Sequence, residues 1–257
     1  MRDSGLQEAI RSVGGVSELA RRIGISQPSV SNWDRIPAER VLTVESATGI
    51  NRSILRPDLF GAYASGDIDE IDAARAQEYA LLPALLARAP DAALMKRLSE
   101  LRGDATPLGI AHVALAEAAS SANVELVERE YFDLFIGLAR GELLPYGSYY
   151  LTGFLHERPL ARLRGDLVTF GIERAEGEVE PEDHAAILCE IMSGLAAGRF
   201  GTLPGADQKI FESHLSPWIG RFFSDLERSD AAKFYRAVGM LGRTFIDIET
   251  EAFSLPS

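Results

Sequence analysis

The sequence predicts an all-α fold, and three of its features support this prediction. Apolar residues recur three and four positions apart through most of the chain, which is the spacing of one buried helix face. Nowhere does a sustained alternation of apolar and polar residues, bounded by turn dipeptides, predict a strand. Segments rich in Gly, Pro or charged residues divide the chain into pieces of helix length. We therefore expect a small helical domain followed by a larger helical bundle.

The boundary between the two domains is predicted at residues 61–74, which have the sequence GAYASGDIDEIDAA. Small residues and carboxylates in this segment bury little apolar surface and are well solvated. The chain of 257 residues is also longer than a usual single domain. These observations predict a domain at residues 1–60, an acidic linker at 61–74 and a second domain at 75–257.

Net charge differs sharply between the two predicted domains. Residues 1–60 contain eight Arg and seven Asp or Glu, a net charge of plus one, so the rest of the chain must carry minus thirteen to give the total of minus twelve. An acidic larger domain repels nucleic acid and attracts basic peptides. Arg side chains in the smaller domain remain suited to contacts with phosphate.

Several common classes of function are disfavoured by the sequence. No apolar stretch approaches the ~20 residues of a membrane-spanning helix, and the N-terminus lacks an apolar run of signal-peptide length. The lone Cys189 and the scattered histidines give no zinc-ligand spacing, and glycine-rich phosphate motifs and the G-x-S-x-G motif are missing. We expect a cytoplasmic, non-enzymatic protein that is not embedded in a membrane and uses no metal or cofactor.

The smaller domain contains the pattern of a helix-turn-helix. A first helix is predicted from four apolar residues that share one helical face, Val16, Leu19, Ala20 and Ile23. Gly24 gives the backbone freedom for a tight turn, and Ser26 is a suitable N-cap for a second helix. The inward residues of that second helix are predicted to be Val30 and Trp33.

The segment L-A-x-x-I-G-I-S-x-x-S-V-S-x-W resembles the Cro-type helix-turn-helix of phage and plasmid regulators, over residues 5–60. The resemblance implies that the second helix enters the major groove of DNA. Base contacts would then come from Gln27, Ser29, Ser31 and Asn32, and phosphate contacts from Arg21 and Arg22. The alternative is a helical unit that serves dimerisation or docking, since one net positive charge gives little general attraction to DNA.

Two segments of the larger domain combine turn-forming and polar residues. In the first, Ser148 follows a predicted turn and is expected to cap a helix that begins at Tyr149. In the second, EPEDH at residues 180–184, Pro181 suits the first position of a helix. The spacing of His184 from later apolar residues directs its ring toward the interior, where a hydrogen-bonded core histidine is the simpler interpretation.

Five stretches of the larger domain resemble the TorD/DmsD family of redox-enzyme maturation chaperones, over residues 75–253. They are YFDLFIGLARGELLPYGSYYL, LRGDLVTFGI, EPEDH, HLSPWIGRFFSDL and KFYRAVGMLGRTFIDIE. The resemblance implies a helical chaperone that binds the twin-arginine leader peptide of a molybdenum-containing oxidoreductase, with formate dehydrogenase as a candidate client. Peptide-site residues implied in this way are Tyr146, Ser148, Tyr149, Glu180, Asp183 and His184.

In such a site, acidic groups would hold the arginines through charge-assisted hydrogen bonds, and an aromatic groove would bury the apolar run. An Asp183→Ala variant is then expected to bind the leader less tightly without losing much stability. The DNA-binding head would couple the supply of client to transcription.

Two alternatives to the chaperone remain. One is a transcriptional regulator whose larger domain serves dimerisation or ligand sensing, so that operator DNA and a second copy of the chain are its partners. The other is an enzyme that uses Asp183 and His184 as an acid and base pair. We disfavour the enzyme because adjacent helical residues point about 100° apart and do not face one substrate atom.

Overall fold

The computed structural model describes residues 3–50, 52–56, 70–138, 140–174, 179–201 and 203–255. The all-α prediction is confirmed, since these residues form helices and no strand, with one isolated antiparallel bridge between Tyr146 and His184. The chain divides into two compact units, Met1–Asp69 and Glu70–Ser257. Within the described ranges, no helix is long and apolar enough to cross a bilayer.

The smaller unit is built from short helices around one apolar core. They are α1 (Ser4–Ser12), α2 (Val16–Arg22), α3 (Gln27–Ser31), a 3-10 turn (Ala38–Arg40), α4 (Val41–Thr48) and α5 (Arg52–Leu55). Their core includes Leu6, Leu19, Val30, Ile36 and Leu55, each fully buried.

The turn between α2 and α3 has the expected geometry. Gly24 adopts a φ of +69°, a conformation that a side chain would disfavour. Ser26 caps α3 by accepting the backbone N–H of Ser29 at 3.4 Å. Helix α3 ends at Ser31, two residues before the predicted end, because the chain turns at Asn32 and Trp33 packs back on the core.

Part of the predicted linker is helical. Residues 61–69 of that segment lie outside the described residues, but α6 begins at Glu70, so residues 70–74 belong to a helix. Glu70 and Asp72 stand in its first turn, where negative charge is stabilised by the partial positive charge of the helix N-terminus. Two of the acidic residues that suggested a solvated linker, Glu70 and Asp72, therefore stabilise the start of a helix.

The larger unit is a bundle whose helices follow one another through short connections. They are α6 (Glu70–Leu86), α7 (Ala92–Ser99), α8 (Pro107–Ser121), α9 (Val124–Tyr131), a π-helical turn (Phe132–Ile136), α10 (Gly147–Thr152), α11 (Arg158–Thr169), α12 (Ala185–Ala196), α13 (Ala206–Ile210), a second π-helical turn (Phe211–Leu215), α14 (Ser216–Arg228) and α15 (Phe234–Ser254).

Helix α12 lies at the centre of this bundle. Its residues are apolar on nearly every face, and it packs along α6, while α14 and α8 pack against α15. The largest fully buried side chains are aromatic: Trp218, Tyr79, Tyr235, Phe211, Phe222 and Phe223. Burial of these aromatic side chains, together with the aliphatic residues packed around them, stabilises the bundle.

The N-terminus of the long helix α15 is capped from a distant part of the chain. The buried carboxylate of Glu130, on α9, accepts the backbone N–H groups of Lys233 and Tyr235 at 2.7 Å each and that of Phe234 at 3.2 Å. A helix leaves its first N–H groups without internal acceptors, so this one side chain satisfies three of them. Glu130 thereby joins α9 to α15.

Candidate functional site

The two segments that the sequence singled out in the larger unit lie side by side. The backbone N–H of Gly147 donates to the carbonyl of Asp183 at 2.9 Å, and that of Ala185 donates to Pro145 at 2.8 Å. This antiparallel pairing holds the start of α10 against the start of α12. It brings together Tyr146, Ser148, Glu180, Asp183 and His184, which we call the Tyr146–His184 cluster.

Asp183 and Ser148 form the buried base of this cluster. Oδ2 of Asp183 accepts the backbone N–H of Ser148 at 2.7 Å, and Ser148 has no exposed surface. Oδ1 of Asp183 is also buried and has no hydrogen-bond partner among the described residues. A carboxylate oxygen is a strong acceptor, so this bond helps to fix the start of α10.

The predicted capping role of Ser148 is wrong. Helix α10 begins at Gly147, one residue before Ser148, and its N-cap Tyr146 makes no side-chain cap. The hydroxyl oxygen of Ser148 instead accepts the backbone N–H of His156 at 3.2 Å. His156 has a φ of +60°, a strained value for a residue with a side chain, and the hydrogen bond to Ser148 helps to hold it there.

The EPEDH segment precedes its helix instead of opening it. Pro181 lies in a turn closed by the bond from the N–H of His184 to the Pro181 carbonyl at 3.0 Å, and α12 begins only at Ala185. His184 is the N-cap, and its Nδ1 accepts the N–H of Ala186 at 3.1 Å. The ring is therefore buried and engaged, with the ring of Tyr146 edge-on at 5.0 Å between centroids.

Tyr146 and Glu180 form the outer part of the cluster. The hydroxyl of Tyr146 donates to Oε2 of Glu180 at 2.7 Å. Burial raises the pKa of Tyr146 well above its usual value, and the hydrogen bond to Glu180 raises it further, so the hydroxyl remains a donor at neutral pH. Glu180 is an exposed residue, and the bond from Tyr146 helps to position its carboxylate.

Tyr149 belongs to a different surface. Arg140 donates to its hydroxyl and lies over its ring, 5.0 Å from the centroid. Tyr149 lines a hollow of about 420 Å³ together with Tyr150 and Arg221. The structure thus brings together five of the six residues implied for the peptide site, and Tyr149 is not among them.

A larger hollow adjoins the outer part of the cluster. It has a volume of about 550 Å³, within the range of small-ligand and peptide pockets, and we call it the α11–α12 groove. Its apolar wall is formed by Leu167, Val168, Ile172, Ile187, Ile191 and Phe200. Its rim carries Glu173, Glu180, Glu182 and Glu190, together with Arg164 and Arg174.

Both arginines of the rim are already engaged within the chain. Arg164 pairs with Glu182 at 2.8 Å, and Arg174 donates to the backbone carbonyl of Glu180 at 2.8 Å. Burial alone would raise the pKa of Glu182, but the hydrogen bond from Arg164 lowers it below the usual value. The groove therefore combines an apolar wall with a rim that carries more acidic than basic residues.

Sequence reasoning missed the wall of this groove. Val168 is 79% exposed because it lies beside the buried Leu163 and Leu167 stripe of α11 rather than in it. An exposed valine beside a buried stripe could have indicated a binding surface. The sequence reveals that exposure only after the buried face of α11 has been assigned. Phe200 lies in a glycine-rich segment that the sequence marked only as a break between helices.

The residues implied for DNA contact lie on or next to α2 and α3. Gln27, Ser29 and Asn32 are exposed, and Val30 between them is fully buried. Two hydrogen bonds link the polar residues to each other, from Gln27 to the Ser31 hydroxyl at 2.9 Å and between the Ser26 and Ser29 hydroxyls at 2.7 Å.

Arg21 and Arg22 share one acidic partner. Glu18 accepts from Arg21 at 2.6 Å and from Arg22 at 3.0 Å. The hydrogen bonds from Arg21 and then Arg22 lower the pKa of Glu18 to about 2, so it is ionised at neutral pH. Phosphate contacts by these arginines would have to compete with Glu18.

Comparison with known proteins finds relatives for both units. The family model of the nitrate reductase delta subunit matches residues 101–224, and the model of the bacterial toxin YdaS matches residues 6–64. Chaperone protein TorD of Vibrio cholerae is 29% identical over 126 residues, which are 46% of this chain and 57% of the relative. TorD of Shewanella loihica is 25% identical over 202 residues, which are 70% of this chain and 92% of the relative.

The chain spans somewhat more than half the length of the Vibrio cholerae relative. Among solved structures, a protein from Archaeoglobus fulgidus described as a redox enzyme maturation protein superposes with a TM-score of 0.49 and 20% identity, covering 67% of this chain and 93% of its own. The resemblance predicted from the sequence is confirmed by the family models and relatives: the larger unit is a TorD-like helical domain, and the smaller unit carries a helix-turn-helix-like region.

Proposed function

We propose that this protein is a maturation chaperone whose larger unit binds the twin-arginine leader peptide of a molybdenum-containing oxidoreductase in the cytoplasm. One observation carries the proposal: the exposed carboxylate of Glu180, held by Tyr146, stands on the rim of an apolar groove. A leader with an arginine pair and an apolar run has the complementary features. The similarity to proteins named as TorD chaperones supports the same function.

Binding of such a peptide divides into two contributions. Exposed carboxylates on the rim attract and orient the arginines, and each exposed pair stabilises the complex by only about 0.2–1 kcal/mol. Burial of the apolar run against the groove wall supplies the larger part, at about 25 cal/mol per Å². The rim therefore gives selectivity for arginine, and the wall gives affinity.

The Tyr146–His184 cluster is better suited to holding the starts of α10 and α12 in place than to acid–base chemistry. Oδ2 of Asp183 is occupied by the N–H of Ser148, and Nδ1 of His184 by the N–H of Ala186. Both residues are also buried, and the remaining oxygen of Asp183, Oδ1, has no solvent access, so neither side chain is exposed to a substrate in solution. This arrangement supports a binding protein and not an enzyme.

The proposal is tested by anisotropy with a labelled Arg-Arg leader peptide and its Gln-Gln counterpart. We expect the intact chain to prefer the Arg-Arg peptide, and Glu180→Gln to weaken that binding by about threefold, as for loss of one exposed ion pair. Glu125→Gln, a change at an exposed glutamate on α9, is the matched control. Equal binding of both peptides, or binding of neither, would refute the proposal.

A second function is proposed for the smaller unit. Exposed polar residues flank the buried Val30 on α3, as in a helix that enters the major groove, and this favours operator binding through Gln27, Ser29, Ser31 and Asn32. Selection from a randomised duplex pool with the intact chain should enrich a sequence, and Asn32→Ala should relax one position of it. Enrichment of no sequence would contradict DNA recognition.

We propose that the two functions are coupled, so that client supply controls transcription of the client operon. Coupling requires that leader binding changes DNA affinity and, reciprocally, that DNA changes leader affinity by the same factor. A client such as a formate dehydrogenase would then regulate its own chaperone. Identical DNA affinity with and without leader would show that the two functions are independent. DNA binding without any leader binding would favour a regulator that uses its larger unit for dimerisation or ligand sensing.

A further inference from the structure

The end of α12 fixes the position of Phe200 through the backbone. The N–H of Arg199 donates to the Gly194 carbonyl at 2.8 Å, and that of Gly198 donates to Leu195 at 3.0 Å. With Gly198 at a φ of +62°, these two bonds form the Schellman motif that ends many helices. Phe200 follows this motif directly, so its place is set by main-chain geometry.

The ring of Phe200 lies against the backbone of α12 at Gly194. A Cβ added at Gly194 would come within 2.8 Å of Cζ of Phe200, and still closer to Cε2, so glycine is required for this approach. Phe200 as a residue is 38% exposed and forms part of the groove wall. Phe200 is thus held against the α12 backbone on one side and partly faces solvent on the other.

Gly194 also continues the helix face that lines the groove. Ile187, Glu190 and Ile191 belong to the groove, and Gly194 completes their i, i+3, i+4, i+7 spacing. At 1.5 Å per residue, this face extends for about 10 Å from Ile187 to Gly194. The groove therefore runs along α12, with Glu180 and Glu182 next to the start of the helix and Phe200 at its end.

Charge on the rim selects a cationic occupant. Glu173 and Glu190 are exposed, and neither forms an ion pair with any residue that the structure describes. The two arginines of the rim are engaged by Glu182 and by the Glu180 carbonyl. A peptide with basic residues followed by apolar ones matches this distribution.

We propose that the leader peptide lies along α12 with its arginines at the Glu180 end, and that Phe200 closes the opposite end and limits the size of the apolar side chain accepted there. This inference rests on the proposed chaperone function, because it takes the leader as the occupant. Phe200 is then a specificity-determining residue: removal of its ring should admit a bulkier side chain at one position of the apolar run.

The test uses Arg-Arg leader peptides in which each position of the apolar run is changed in turn from Leu to Trp. Anisotropy should show that the intact chain binds Trp more weakly than Leu at one position, and that Phe200→Ala shifts the Trp-to-Leu affinity ratio there by about tenfold, the lower end of what one methylene group is worth in an apolar pocket. Phe154→Ala, a change at a 69% exposed aromatic residue, is the matched control.

Gly194 provides an independent variant. Gly194→Ala should displace the Phe200 ring and weaken leader binding. The double variant Gly194→Ala, Phe200→Ala should bind the leader as tightly as Phe200→Ala alone, because the added methyl group then meets no ring. A general loss of stability at Gly194 would not be reversed in this way. Thermal unfolding of all variants is measured in parallel.

Binding of the neutral dye Nile red separates the two proposals. If the dye binds the groove more tightly in Phe200→Ala but no leader peptide binds the intact chain, the role of Phe200 in closing the groove is supported and leader binding is refuted. If leader peptides bind but Phe200→Ala changes no Trp-to-Leu affinity ratio, the size-limiting role of Phe200 is refuted and leader binding is supported. No response of either probe to Phe200→Ala overturns the inference.

Discussion

Replacing Asp183 with alanine should destabilise the larger unit, contrary to the expectation from sequence. Its Oδ2 accepts the N–H of Ser148 at 2.7 Å in a site without solvent access, so truncation leaves a buried donor unpaired. Such an orphaned group costs about 1–3 kcal/mol. For a unit of this size, a loss of about 2 kcal/mol lowers the melting temperature by about 4–8 °C.

The companion variant Asp183→Asn isolates the cause. Asparagine keeps an oxygen acceptor for the Ser148 N–H. It replaces the other oxygen of Asp183, Oδ1, which has no hydrogen-bond partner among the described residues. Its amide NH2 group then lies where Oδ1 has no partner, so we expect it to retain only part of the stability that the alanine variant loses.

Fluorescence offers a direct assay for both variants. The chain has two tryptophans, so in a Trp33→Phe background the emission of the buried Trp218 reports unfolding of the larger unit. Urea unfolding is followed for wild type, Asp183→Ala, Asp183→Asn and the exposed control Asp230→Ala. Equal midpoints for Asp183→Ala and wild type would refute the buried-acceptor role and restore the expectation of a ligand-facing carboxylate.

Three further predictions concern single side chains. Glu130→Ala removes the acceptor of three N–H groups at the start of α15 and should lower the free energy of unfolding by about 1.5–3 kcal/mol in urea, whereas an unchanged value would exclude the capping role. The hydrogen bond to Glu78 raises the pKa of His112. The stabilisation from this pair is therefore fully present below the unfolded-state pKa of about 6.5, and it is lost as pH rises through the higher folded-state pKa. Glu78→Gln should therefore cost about 1 kcal/mol near pH 6 and almost nothing near pH 9, and a cost that grows with pH would contradict this sign. Glu18→Gln releases two arginines of the smaller unit and should make the slope of log affinity against log salt for DNA more negative by up to about 1, whereas weaker DNA binding would show that Glu18 positions them.

The helices and the turn of the smaller unit were predictable because local sequence determines them. Ser26, Gly24 and Val30 occupy positions that their own chemistry favours, as N-cap, left-handed turn and buried face. The linker boundary at Glu70 was not predictable from composition, because carboxylates favour both a solvated loop and a helix N-terminus.

The site was predictable only in part, because it depends on contacts between distant segments. The proximity of Tyr146 to His184 was implied by resemblance, but the roles of their neighbours depend on one-residue shifts in helix starts. Ser148 falls inside α10 and so is not its cap, and Pro181 falls before α12 and so is not its first residue. The groove needs α11, α12 and the segment at Phe200 together, and no single stretch of sequence contains it.

The position of bound leader peptide tests the central claim most directly. In protein labelled at isoleucine methyl groups, addition of an Arg-Arg leader should shift the resonances of Ile172, Ile187 and Ile191, which line the groove, and leave Ile110, an exposed residue on α8, unchanged. Shifts confined to other surfaces, or the same shifts with a Gln-Gln peptide, would contradict an acidic-rimmed groove that receives a basic, apolar leader.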